Sequence, residues 1–143
     1  MWPFKRRCAR PAGIVDSDDR DLQLNVSWND GPLLSGFKLI AYLGGHQVGA
    51  AHGTYCAGHQ FRLTKIEVPD THKGKGFGTI MIGTLIGAAH THKCRHFVFE
   101  GVSNTNLRAI RLYLRFGAKE ANKLDQHKTD YVISLFNSDE PEA

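Results

Sequence analysis

The feature that most constrains the fold of this chain is a glycine-rich stretch that leads straight into an apolar segment with helical spacing. Gly74, Gly76 and Gly78 alternate there with other residues, and Lys73 and Lys75 lie directly before and between them. Glycine lowers stability wherever its backbone freedom is not used, so the cluster needs a backbone reason. A helix N-terminus gives one, because its first amide groups lack partners and bind anions when no side chain blocks the approach. The stretch predicts a phosphate-binding loop, and a loop that only caps a helix is the alternative.

Two better-known phosphate loops do not match this stretch. A P-loop requires G-x-x-x-x-G-K-[ST], but the last glycine here is followed by Thr79 without a lysine between them. The dinucleotide fingerprint requires G-x-G-x-x-G, whereas these glycines are spaced G-x-G-x-G. The loop is therefore of another kind.

Length and composition indicate one intracellular domain. With 143 residues, of which 41% are hydrophobic and 22% charged, the chain can bury a single core. Its basic N-terminus is followed by acidic residues rather than an apolar segment, so it does not resemble a secretory signal. Cys8, Cys56 and Cys94 are not closely spaced, which favours reduced thiols. We expect a cytoplasmic protein without a membrane segment.

The positive charge of the chain is compatible with a polyanionic partner. The formal net charge is +4, which suits nucleic acid or a phosphorylated cofactor. Arg108, Arg111 and Arg115 fall on one helical face, for which a solvated surface is the simpler interpretation. Exposed aromatic residues do not interleave with the basic ones, so a nucleic-acid-binding protein ranks last among the functions considered.

The spacing of apolar residues predicts a mixed α+β domain with several strands and two helices. Residues 1–20 are expected to be a flexible arm, residues 21–136 the folded domain and residues 137–143 a disordered acidic tail. A first helix is predicted at residues 76–90. A second has its N-cap candidates at residues 103–106 and ends near residue 116, with Gly117 as the stop. Strands are predicted at residues 21–28, 37–43, 48–55, 61–68, 96–102 and 130–136.

One of these strands has a break in its alternation. Phe61 and Leu63 alternate with polar residues, but Ile66 and Val68 are one step out of phase with them. Such a phase slip is typical of a β-bulge, which adds one residue to a strand. We therefore predict a bulge near residues 64–65.

A run of histidines, HTHKCRH at residues 90–96, raises the question of a metal site. Structural zinc sites prefer C-x2-C or H-x3-H spacing, and this run spans a helix end and a strand start. We expect solvent-facing histidines and no metal.

Two motifs in this chain resemble those of the GNAT family of N-acetyltransferases. Residues 73–78, KGKGFG, resemble the Q/R-x-x-G-x-G/A acetyl-CoA motif, with Lys73 where the family prefers Gln or Arg. Residues 106–118, NLRAIRLYLRFGA, resemble the second signature N-x-x-A-x-x-L-Y-x-x-x-G-F, with Ala118 in place of the last aromatic residue. The motifs occur in the family's order, and the resemblance extends over residues 37–136.

The resemblance implies a GNAT-like α+β fold, with a mixed, mostly antiparallel sheet and two main helices. The family normally places two further helices between its first and second strands, where they form a wall of the acceptor site. Only residues 29–36 separate those strands here, which leaves no room for helices. We expect an open site suited to a protein or other large acceptor, or a site completed by a second subunit in a homodimer.

The resemblance further implies that acetyl-CoA is the co-substrate and that its pyrophosphate lies on the glycine loop. A backbone amide near Ile66 or Val68 would stabilise negative charge on the thioester oxygen. The implied cofactor-binding residues are Ile66, Val68, Lys73, Gly74, Lys75, Gly76, Phe77, Gly78, Thr79 and Asn106.

Two catalytic residues follow from the same resemblance. Tyr113 matches the tyrosine that the family uses as general acid near the thiol, with a core aromatic role as the alternative. Glu100 is the preferred base, since relatives that acetylate protein N-termini carry a glutamate on this strand, although one residue closer to the motif asparagine.

Other candidates for the base were considered. Arg62 and Thr64 occupy positions where relatives often have an acid or histidine, and neither can serve as the base. A chain of water molecules in place of a direct base remains an alternative, and Glu67, His52 and His59 remain candidates for the base.

The sequence thus predicts an enzyme that transfers acetyl from acetyl-CoA to a primary amine by direct attack in a ternary complex. A non-catalytic acyl-CoA-binding regulatory module is one alternative, and an acetyltransferase acting on aminoacyl-tRNA is another.

Overall fold

The computed structural model describes residues 22–31 and 34–136, so the predicted N-terminal arm and acidic tail lie outside it. The strands are β1 (Leu22–Asn29), β2 (Ser35–Leu43), β3 (His46–Tyr55), β4 (Gln60–Glu67), β5 (His96–Ser103), β6 (Lys119–Lys123) and β7 (Lys128–Ser134). The helices are α1 (Phe77–Thr91) and α2 (Leu107–Arg115), and a short 3-10 turn spans Asp70–His72.

The seven strands form one sheet in the order β1-β2-β3-β4-β5-β7-β6. Only β4 and β5 pair in parallel, and the other neighbours are antiparallel. The predicted α+β class with a mostly antiparallel sheet and two helices is therefore confirmed. As expected, β1 leads into β2 without intervening helices, since Asn29 already pairs with Gly36. Neither helix in the described part of the chain is long and apolar enough to cross a membrane.

The sequence prediction missed one strand, β6. All of its residues are exposed, and it pairs only with β7 at the edge of the sheet. Its sequence KEANK has no buried face, so it lacks the alternation by which strands are recognised. Charged residues on an edge strand also discourage further strand pairing.

The predicted bulge in β4 is confirmed, and it separates two strands. His52 pairs with Lys65 while the adjacent Gly53 pairs with Leu63, so Thr64 is the extra residue. The parallel pairing of β4 with β5 ends at the same level, with Leu63 opposite Phe99. A cleft of about 160 Å³ lies between the two strands beyond that point.

A row of aromatic rings forms the centre of the core. Phe37 stacks on Phe61 at a centroid distance of 4.6 Å, and Phe61 stacks on Phe97 at 5.4 Å. Phe99 continues the row and stacks on Tyr113 of α2 at 3.9 Å. Burying one such side chain contributes roughly 1.5–3 kcal/mol. The core thereby holds α2 against the end of β5, beside the cleft.

The histidine run is not uniformly solvent-facing, which corrects the prediction. His92 packs against Trp28 and Tyr55, with ring centroids 4.9 and 4.5 Å away, and burial lowers the pKa of its imidazole. Cys94 is fully buried, whereas His90 is exposed. The run therefore divides between core and surface.

Candidate active site

A groove of about 870 Å³ runs between the loop that precedes α1 and the helix α2. It begins at the loop and reaches Tyr113, which also borders the cleft between β4 and β5. Of the residues predicted to bind the cofactor, all except Lys75 line the groove. The structure thus brings the two sequence motifs together on opposite walls of one groove.

The glycine loop leaves the start of α1 open. Gly74 and Gly76 have φ angles of 81° and 84°, in the left-handed region that side chains disfavour. Gly76 is the N-cap of α1 and supplies no side-chain hydrogen bond. A Cβ atom at this position would meet nothing within 4 Å, so the space beside it is free. The first amides of α1, at the positive end of its dipole, therefore border the groove as donors of the kind that suit an anion.

The arginines of α2 line this groove and are also exposed to solvent, as the surface interpretation expected. Arg108, Arg111 and Arg115 all line it, and Nη2 of Arg108 would lie 3.5 Å from a Cβ atom at Gly74. On the loop side, Lys73 forms an ion pair with Asp70 at 3.2 Å. A groove lined by this many cations suits a ligand with several phosphate groups.

The spacing of the three arginines alone could not show whether they face the groove or another part of the surface. The spacing puts the three side chains on one side of α2, but a surface face and a groove face have the same period. The direction is set by Tyr113, which is 6% exposed and anchors another side of the helix on Phe99.

Tyr113 lies where the groove meets the cleft, and its side chain lines both. Burial raises the pKa of its hydroxyl, because the charged phenolate would lose hydration in the core. The hydroxyl is therefore protonated at neutral pH and can donate a proton. Its position fits both the core role and the acid role that the sequence left open.

Asn106 connects the same two spaces and also caps α2. Its side-chain oxygen accepts a hydrogen bond from the Ala109 amide at 3.2 Å, which satisfies one of the free amides of the first turn. The residue also lines both the groove and the cleft. Its capping role fixes the position of the helix that carries Tyr113.

Glu100 lies in the cleft, opposite the bulge of β4. Its carboxylate accepts a hydrogen bond from the Thr64 hydroxyl at 3.1 Å and forms an ion pair with Arg62 at 3.5 Å. Among the described residues that line the cleft, it has the only carboxylate. The other base candidates lie elsewhere: Glu67 borders the groove and pairs with Lys65 at 3.0 Å, and neither His52 nor His59 lines the cleft.

β5 has a bulge at Glu100, on the stretch of chain that leads to Asn106. Phe99 pairs with Tyr131 and Val102 with Thr129, so β5 has one residue more than its partner in this interval. The extra residue falls at residues 100–101, where Gly101 has a φ of 63°. Glu100 therefore lies in the bulge and beside the cleft.

Comparison with known proteins agrees with this geometry. The model of the Acetyltransferase (GNAT) family matches residues 6–118. A search of curated proteins finds no significant match.

Solved structures share the fold. An N-acetyltransferase from Staphylococcus aureus is 22% identical, with a TM-score of 0.61 over 71% of this chain and 68% of that one. An IAA acetyltransferase from Bacillus cereus is 15% identical, with a TM-score of 0.64 over 69% and 77%. An acetyltransferase from Bacillus subtilis, solved in complex with CoA, is 15% identical, with a TM-score of 0.62 over 71% and 78%.

Proposed function

The chain belongs to the acetyltransferase (GNAT) family, and from this premise we propose that it transfers an acetyl group from acetyl-CoA to a primary amine. One observation carries the proposal. The groove that begins at the glycine loop ends at Tyr113, and Tyr113 shares the cleft beyond it with Glu100. A phosphate-binding loop, a proton donor and a carboxylate therefore follow one another along a continuous surface.

The groove suits coenzyme A in both charge and shape. The pyrophosphate would lie on the amides that follow Gly76, with Lys73 and the α2 arginines supplying positive charge. The pantetheine arm would run past Ile66 and Val68, where β4 has left β5 and its backbone groups are free to pair. The Bacillus subtilis relative was solved with CoA, which supports this choice of co-substrate.

The chemistry requires two proton transfers. The amine nitrogen attacks the thioester carbon, a C–N bond forms, and the C–S bond breaks. Glu100 accepts the proton that the amine loses, and the Tyr113 hydroxyl donates one to the departing thiolate. An amide near Ile66 or Val68 stabilises the oxygen of the tetrahedral intermediate. The products are an amide and free coenzyme A.

The acceptor side of the cleft is open, which favours a protein or another large acceptor. The connection from β1 to β2 is too short to supply the helical wall that the family usually has there. Glu100 is 36% exposed, so an incoming amine has access to it. The presence of a carboxylate and a buried tyrosine in the cleft weighs against a non-catalytic binding module.

The proposal is tested by the release of free thiol from acetyl-CoA. We expect release with at least one member of a panel that contains small primary amines, peptides with a free N-terminus and aminoacyl-tRNA. Each acceptor is measured with and without enzyme, and mass spectrometry checks the added acetyl group. Acetyl-CoA binding without thiol release from any acceptor would support the non-catalytic module instead.

Reversing the charge of Arg108 is expected to weaken acetyl-CoA binding about tenfold, because the new carboxylate would lie beside the phosphate loop. The measurement is calorimetric titration of Arg108→Glu. Raising the salt concentration should weaken binding to the unmodified protein more than to the variant.

Lys119→Glu is the matched control for this reversal. Lys119 is exposed on β6 and does not line the groove, and the substitution makes the same change in net charge. Equal affinities for the two variants would show that Arg108 acts only through the overall charge of the protein.

A further inference from the structure

A buried carboxylate lies behind Glu100, and the proposed reaction does not use it. Asp130, on β7, is 4% exposed and is the one buried charged residue in the part of the chain that the structure describes. Removing a carboxylate from water costs free energy unless it is paired and hydrogen-bonded. The partners of Asp130 therefore indicate what it holds in place.

One oxygen of Asp130 holds the backbone next to Glu100. Oδ1 accepts a hydrogen bond from the Gly101 amide at 2.8 Å. Gly101 follows Glu100 in the chain, lies in the β5 bulge and has a left-handed φ of 63°. Hydrogen bonds to ionised acceptors are stronger than neutral ones, so this contact defines the course of the bulge.

The other oxygen reaches the Glu100 side chain through Arg62. Nη2 of Arg62 lies 3.6 Å from Oδ2 of Asp130 and 3.5 Å from Oε2 of Glu100. Nη1 of the same guanidinium donates to Oε1 of Gln60 at 2.9 Å. Because the guanidinium is planar and rigid, these contacts fix its orientation.

The network formed by Asp130, Arg62 and Glu100 is buried at Asp130 and exposed to solvent at Glu100. The side chain of Asp130 is 5% exposed, whereas those of Arg62 and Glu100 are 30% and 36% exposed. One guanidinium lies between two carboxylates, so the group as a whole has an excess of negative charge. That excess attracts the ammonium form of an acceptor, which releases one proton to solvent before the neutral amine attacks.

We propose that Asp130 is a positioning residue for acetyl transfer, which orients the Glu100 carboxylate toward the acceptor amine by holding Arg62 and the Gly101 backbone. This inference rests on the proposed function. Glu100 takes a proton from the acceptor nitrogen, and the nitrogen forms the new C–N bond as the C–S bond breaks. Asp130 lines neither the groove nor the cleft, so we expect its effect to pass through Glu100.

A double-mutant cycle tests this dependence. Asp130→Asn keeps the size of the side chain and an oxygen for the Gly101 amide but removes the charge that holds Arg62. We expect kcat to fall about tenfold, with the Kd for acetyl-CoA unchanged, because only the orientation of the base is lost. Glu100→Gln alone should lower kcat about a hundredfold. In the Glu100→Gln protein, adding Asp130→Asn should change kcat by less than about twofold.

Thr129→Val is the matched control, since Thr129 is buried beside Asp130 and its hydroxyl donates to Asn104 at 2.8 Å. It removes a buried hydrogen bond from the same strand without touching Glu100. We expect it to lower the melting temperature and leave kcat unchanged. A similar loss of kcat in Thr129→Val would mean that general destabilisation of β7 explains the effect of Asp130.

Other outcomes separate the inference from the proposed function. An unchanged kcat in Asp130→Asn overturns the positioning role, and so does an equal fold-loss in the two Glu100 backgrounds. If the unmodified protein releases no thiol with any amine, the proposed function fails and the positioning role fails with it.

Should Asp130→Asn not fold, Arg62→Lys provides the same cycle at a partly exposed site, because an ammonium group cannot reproduce the planar bridge. Additive losses in that cycle also overturn the inference.

Discussion

Replacing Gly76 with glutamate is expected to abolish measurable acetyl-CoA binding, with Kd rising at least about a hundredfold. Gly76 has a φ of 84°, which costs other residues about 1–2 kcal/mol. The new side chain would enter the free space beside the N-terminus of α1, where we place the pyrophosphate. Its carboxylate would occupy the anion site and repel the phosphates. Calorimetric titration of the variant with acetyl-CoA measures the loss.

Two further glycine substitutions distinguish blocking of the anion site from the effects of backbone strain and added charge. Gly44 has a φ of 61° and open space around it, and it lies between β2 and β3, away from the groove. Gly44→Glu should therefore show a comparable loss of stability with normal affinity. Gly83→Glu adds the same charge to a later turn of α1, where a Cβ also meets nothing within 4 Å. Full affinity in Gly76→Glu would mean that the loop only caps a helix.

The local features of this site could be predicted because adjacent residues specify them. The alternation of glycines predicts a loop without side-chain obstruction, and the phase slip between Leu63 and Ile66 predicts the bulge at Thr64. Asn106 likewise caps the helix that follows it. In each case the physical cause lies within a few residues of its effect.

The features that could not be predicted depend on distant parts of the chain. The arginines of α2 face the groove because Tyr113 docks the helix on Phe99 of another element. Asp130 lies in a strand thirty residues after Glu100, and its partners come from β4 and β5. Such contacts cannot be predicted from residue spacing or composition, because they form only once the strands have assembled in the order of the sheet.

Replacing Tyr113 with phenylalanine is expected to lower kcat about a hundredfold while leaving acetyl-CoA affinity within about twofold. The ring stacks on Phe99 with an interplanar angle of 12°, and phenylalanine can keep that contact. Only the hydroxyl is lost, so the departing thiolate has no proton donor. Thiol release and calorimetric titration of the same preparation separate kcat from binding.

Tyr131→Phe is the matched control for this change. Tyr131 is also 6% exposed, but it lies on β7 and lines neither the groove nor the cleft. It should lose its hydroxyl without losing activity.

The raised pKa also sets the pH range in which Tyr113 can act as a proton donor. Burial raises the pKa of Tyr113 above its ordinary value of 10.0, so the hydroxyl keeps its proton throughout the neutral range. A proton donor of this kind loses activity only as the pH rises through that elevated pKa. We therefore expect no fall in kcat between about pH 7 and pH 9 from the loss of this proton.

If Tyr113→Phe turns over at the normal rate, Tyr113 is a core aromatic residue and the thiolate leaves without its help.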